Sequence, residues 1–101
     1  MSQATTARKA ATERVLRGAG KTSRAVRQAA FDNRDVAEPA RALIDKVAKT
    51  AWKITDEDVA AVRRTQSDDE IYEQVVAAAM GQATRQLDAA LAALDEATRK
   101  P

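Results

Sequence analysis

The sequence predicts an all-α protein, a small helical bundle organised on one long C-terminal helix and completed by oligomerisation. Three observations carry this prediction. Apolar residues recur at three- and four-residue steps from Ile71 to Leu94, with no proline before Pro101, which is the repeat of one helix face. Two capping signals, Thr55-Asp-Glu-Asp58 and Ser67-Asp-Asp-Glu70, stand directly before helical runs. Finally, 45% of the 101 residues are apolar, but much of that is alanine, with one Trp, one Tyr and one Phe. Alanine buries little area, so a core made of it is thin at roughly 25 cal/mol per Å². A chain of this size also hides only about two-thirds of its unfolded surface. A neighbouring subunit is the expected source of the missing contacts.

Taken in order, residues 1–36 read as a basic N-terminal arm or short helices, and residues 37–101 as the helical domain. Ala4 to Arg17 is helix-compatible, with a weak apolar stripe of Ala7, Ala11 and Val15. Gly18-Ala-Gly20 interrupts it. A second short helix is expected from Thr22 or Ser23 to about Ala30, and Phe31 to Asp35 reads as a loop. Pro39 suits the first turn of a third helix, where its missing N–H would be unpaired anyway. Leu43, Ile44, Val47, Ala48 and Ala51 continue that helix, and Trp52 and Ile54 are expected to close its face. The Thr55 cap, with acids in the first turn where the helix dipole favours them, starts a short helix to about Arg64. The Ser67 cap starts the long one. Its predicted stripe is Ile71, Tyr72, Val75, Val76, Ala79, Met80, Ala83, Leu87, Ala90, Leu91 and Leu94. About 28 residues at 1.5 Å each span roughly 40 Å, longer than a compact domain of this size needs. Gly81 costs about 1 kcal/mol in a helix interior relative to alanine. Close approach of another helix, from another subunit, is the reason expected for it.

Composition excludes several chemistries. With no cysteine and no histidine, the chain has no disulfide framework, no thiolate nucleophile or metal site and no imidazole proton shuttle. Carboxylates, Lys and Tyr remain for acid–base work. No run approaches the ~20 apolar residues of a membrane span. The N-terminus also lacks the apolar block of a signal peptide. A cytoplasmic protein without a membrane role or cofactor is therefore expected. Charge is uneven. Residues 1–30 carry Arg8, Lys9, Arg14, Arg17, Lys21, Arg24 and Arg27 against the single acid Glu13, while residues 31–101 carry 10 basic and 14 acidic groups. Such an arm suits phosphates through counterion release, although it has no aromatic before Phe31 for base stacking. Gly20-Lys-Thr-Ser23 has the look of the end of a phosphate-binding loop, but the first glycine of that pattern falls on Val15 and no strand precedes it. The acids at 56–58 and 68–70 match no calcium-loop spacing, and helix capping accounts for them.

The run from Ile54 to Leu91 also resembles a known pattern. A Thr-Asp-Glu-Asp segment (Thr55 to Val59) leads into a Ser-Asp-Asp-Glu-Ile-Tyr-Glu helix start (Ser67 to Glu73). An Ala/Gly-rich stretch (Ala77 to Ala83) and an Arg-containing end (Arg85 to Leu91) follow. This resembles the C-terminal part of the carboxymuconolactone decarboxylase-like and alkylhydroperoxidase-D-like (AhpD-like) family. The resemblance implies an all-α fold, assembly into dimers, trimers or hexamers, and in active members a Cys-x-x-Cys with a nearby His and Glu. That redox motif is missing, so thiol peroxidase activity is excluded and no catalytic residue is carried over. Gln66, and Gln82 to Leu87, depart from the family pattern.

The expected function is therefore that of a non-catalytic, homo-oligomeric binding, scaffold or accessory protein with a protein partner, a redox-dead relative of that family. Trp52, Tyr72, Glu73, Gly81 and Arg85 are its candidate ligand or interface residues. Glu73 and Arg85 lie too far apart along one helix to pair within a chain, but could pair across an oligomer. Two alternatives stand beside this reading: a nucleic-acid-associated protein using the basic arm, and a cofactor-free enzyme using carboxylates and Tyr.

Overall fold

A computed structural model describes residues 3–99. Met1, Ser2, Lys100 and Pro101, at the ends of the two predicted segments, lie outside the described residues. The described residues form five α-helices and no strand: α1 (Gln3–Arg17), α2 (Arg24–Asp32), α3 (Arg41–Lys49), α4 (Asp56–Arg63) and α5 (Asp68–Arg99). A single 3-10 turn, Ala51–Lys53, joins α3 to α4.

Local sequence sets most of these boundaries. The Ser23 hydroxyl accepts from the Val26 N–H and starts α2, as N-cap serines do. α2 runs two residues further than expected because Asn33 takes the left-handed conformation, at φ 50°. The N–H groups of Asn33 and Arg34 then close on the carbonyls of Ala30 and Ala29, a Schellman ending. Thr55 and Asp58 form the reciprocal capping box of α4. Ser67 and Glu70 do the same for α5, at 3.2 and 3.0 Å. α3 begins at Arg41, so Pro39 sits in the turn before the helix and not in its first turn. Trp52 departs further from expectation. It lies on the 3-10 turn and is 79% exposed, while the α3 face is closed by the partly buried Ile54.

The core is Ala30, Val36, Ala40, Leu43, Ile44, Val62, Ile71, Ala77 and Ala78. It is as alanine-rich as the composition implies. Its centre is the packing of α2 and α3 on α5. Ala30 and Val36 belong to the same cluster as Leu43 and Ile44, so no break in the core falls at the 36/37 boundary drawn from composition. α1 lies against both α2 and α5.

α5 carries two faces where one stripe was expected. The buried side is Ile71, Gln74, Ala77, Ala78 and Gly81. Much of the predicted stripe looks outward instead. Tyr72 is exposed, Ala79 and Ala83 are exposed, and Leu87, Leu91 and Leu94 are 41%, 50% and 60% exposed. The two faces were merged in the sequence because Gln74 and Gly81 do not read as core residues. From residue 86 onward every described residue of α5 is exposed. The helix projects past the body, and the molecule measures 56 × 29 × 20 Å with a radius of gyration of 15.5 Å. A compact chain of this length has about 13 Å.

Candidate interaction surface

Glu73 does not face solvent as a free carboxylate. It sits at the α1–α2 loop, where the N–H groups of Lys21 and Thr22 donate to it at 2.8 and 2.9 Å and the Thr22 hydroxyl at 2.6 Å. The Gly20-Lys-Thr stretch, which the sequence marks only as an incomplete phosphate-loop pattern, thus cradles an anion that is the chain's own. Burial disfavours charge on Glu73. The Thr22 hydroxyl, the two backbone N–H groups and the nearby Arg27 outweigh burial and hold its carboxyl below the ordinary value. Glycine at position 20 lets the carboxylate sit this close, since a Cβ there would lie 2.8 Å from a Glu73 carboxylate oxygen and the side-chain end would have to shift.

Arg27 was expected on the basic arm and is instead 5% exposed. Its Nη1 donates to the carbonyls of Val15 and Gly18 at 2.9 and 2.7 Å, tying the end of α1 to α2. Its Nε has no partner among the described residues. Arg8 reaches Asp88 at 3.5 Å and Arg17 pairs with Glu13. Arg17 stays exposed in that pair, and Lys9, Arg14, Lys21 and Arg24 are exposed as well.

Gly81 and Arg85 act on one target. A Cβ on Gly81 would overlap the Phe31 carbonyl oxygen, and Arg85 Nη1 donates to that same oxygen at 2.7 Å. The close approach that the sequence assigned to another subunit is therefore made within the chain by α2, and Gly81 is buried there. Arg85 and Glu73 both have partners inside the chain, so neither needs the other across an interface. Two buried polar residues are central to this packing: Arg27, expected on the solvated arm, and Gln74, not singled out from sequence. Gln74 is 3% exposed, and its amide donates to Gln66 and to the Glu70 carbonyl. The spacing 71, 74, 78, 81, 85 was the available signal for that face, masked by a Gln, a Gly and an Arg within it.

The acid clusters serve the fold. Asp58 caps α4 and binds Lys46 at 2.8 Å, and the Lys46 ammonium with the Thr55 N–H holds its carboxyl below the ordinary value. Asp45 is lowered likewise by the Asn33 amide and Lys49. Among the described residues no three acidic, His or Cys groups are placed to hold a metal ion, and no helix is long and apolar enough to cross a membrane.

The chain matches no known protein family, no curated protein and no solved structure.

What the surface does present is the outward face of α5. Tyr72, at 70% exposure, begins it, and Leu87, Leu91 and Leu94 end it beyond the body. Arg14, Val15 and Val76 flank a cavity of about 180 Å³ beside Tyr72 and Glu73, where α1 meets α5. α4 reaches α5 only near its start, around Asp68, Ile71 and Val75. Ala83, Leu87, Ala90, Leu91 and Leu94 on this face are exposed, with α1 alongside at Thr84 and Asp88.

Proposed function

We propose that the protein is a non-catalytic helical scaffold or accessory protein that works by assembling through the outward face of α5. The observation that carries this reading is the projection of α5. Its last four turns present three leucines among alanines to solvent. Isolated helices of this length are marginal in water, because helical stability in proteins comes mainly from packing an apolar face. The state of the carboxylates also supports it. General acids and bases are tuned toward neutral pH by raised carboxyl values, whereas Glu73, Asp58 and Asp45 are all held down by partners that build the fold. A distant relationship to the AhpD-like family remains part of the proposal and rests on the Thr55–Val59, Ser67–Glu73, Ala77–Ala83 and Arg85–Leu91 motifs alone.

Light scattering on a size-exclusion column, with absorbance at 260 and 280 nm and at low and high salt, tests the reading. A multimer with a protein spectrum at both salts is expected. A monomer, or a species whose 260 nm absorbance is stripped by high salt, would replace it with nucleic-acid binding through Lys9, Arg14, Lys21 and Arg24, because phosphate contacts weaken steeply with salt.

A further inference from the structure

We infer that the outward face of α5 is the seat of a second copy of this chain, whose own α5 runs antiparallel over residues 80–97. The inference rests on the assembly reading above and adds to it the occupant, the direction and the register. Beyond the body, α5 places Met80, Leu87 and Leu94 at one position of a seven-residue repeat and Ala83, Ala90 and Ala97 at the position three residues later. This is the spacing of a two-helix seam. Large residues hold one position and alanines the other. Two parallel copies would stack Leu on Leu and Ala on Ala, alternating crowded with empty layers, which close packing disfavours. Two antiparallel copies pair each position with the other. Leu87 meets Ala90 of the second copy, Leu94 meets Ala83 and Met80 meets Ala97, so all six layers have one large and one small residue. The two-fold axis then falls between Asp88 and Ala89.

The rest of the molecule accepts this arrangement. Ala83, Leu87, Ala90, Leu94 and Ala97 are exposed and Met80 is half-buried, so five of the six seam positions already lie open to a helix. α4 stays at the first turns of α5, below the level the second copy's Ala97 would reach. α1 lies antiparallel on the neighbouring side of α5, with Arg8 at Asp88 and Val15 near Val76. The second copy's Asp95 would arrive beside α1 within a turn or two of the exposed Arg14. α1 carries Arg8, Lys9, Arg14 and Arg17 against Glu13, and residues 86–99 carry Asp88, Asp95 and Glu96 against Arg99, so the opposed segments are complementary in charge. A positively charged partner of another kind would meet repulsion from α1.

The absence of native cysteine makes the test clean. Ala83→Cys and Leu94→Cys chains, mixed under mild oxidation, are expected to form a disulfide-linked pair. Either alone is expected to form little, because like positions would be offset by 11 residues, or about 16 Å along the axis, beyond disulfide reach. Leu87→Asp with Leu94→Asp, both exposed, is expected to halve the mass seen by light scattering while leaving the far-UV helical signal of the body. Cross-linking of Ala83→Cys with itself would overturn the inference in favour of a parallel pair. A multimer whose mass the double Asp variant does not change would overturn it too, while leaving assembly itself standing. A wild-type monomer would overturn both.

Discussion

Gly81→Ala sets two effects of opposite sign against each other, and the structure decides which wins. Helix propensity alone favours alanine by about 1 kcal/mol at an interior position. Packing opposes it. The new Cβ would overlap the Phe31 carbonyl oxygen and lie 2.7 Å from its carbonyl carbon and 3.0 Å from its Cα. Carbon atoms in good contact sit about 3.5–4.0 Å apart, so the end of α2 must retreat from α5 by about 1 Å. That movement opens the contact at Ala30, Ala77 and Ala78, each fully buried, and strains the 2.7 Å bond from Arg85 to Phe31. Overpacking of this kind costs about 1–3 kcal/mol and a weakened hydrogen bond about 1 kcal/mol more. After the propensity gain, a net loss of about 1–3 kcal/mol remains, or roughly 5–20 °C in Tm for a domain of this size. Urea and thermal unfolding of Gly81→Ala, compared at equal protein concentration with the parent chain, measure it. A variant more stable than the parent by about 1 kcal/mol would refute the packing argument and leave propensity in charge.

Two further outcomes are expected. Glu73→Gln replaces an acceptor oxygen with an amide that faces the donors of Lys21 and Thr22, and should cost about 1–3 kcal/mol at neutral pH. Because the folded carboxyl lies below its ordinary value, its contribution is complete above the unfolded value of about 4.3 and is lost as pH falls through the folded one. The gap between parent and variant in urea midpoint should therefore close on acidification below about pH 4, and a constant gap would count against the cradle. Ser67→Ala removes the acceptor of the Glu70 N–H and should lower stability by about 1 kcal/mol, with faster amide exchange confined to the first turn of α5. Unchanged exchange there would show the cap to be idle.

The fold class, the two capping boxes and the long α5 were legible because each rests on a local pattern: a hydroxyl three residues before an acid, or an apolar repeat. What sequence could not separate was the two sides of α5. A helix packed through Ala77, Ala78 and Gly81 against Ala30 hides small residues and exposes large ones, the reverse of the usual inference from hydropathy. Glu73 and Arg27 were misplaced for a related reason. Both are charged, and their partners are backbone groups of a loop some 50 residues away for Glu73 and of the neighbouring α1 end for Arg27, which leave no periodic trace. Trp52, the largest apolar side chain, was expected to pack because of its size. The 3-10 turn at Ala51–Lys53 carries it off the α3 face.

The cradle around Glu73 has a consequence for how the chain meets phosphate. Donors arranged to receive an anion are a standing invitation to any phosphate in solution. Here the seat is taken by a carboxylate on the same chain, whose effective concentration at the loop is that of a tethered group, on the order of millimolar or more. A free anion must outcompete it and also release the clasp between residues 21–22 and 73. The same three donors that would make a loose loop sticky thus become a buckle between the first third of the chain and α5, insulating the fold from the ionic composition around it.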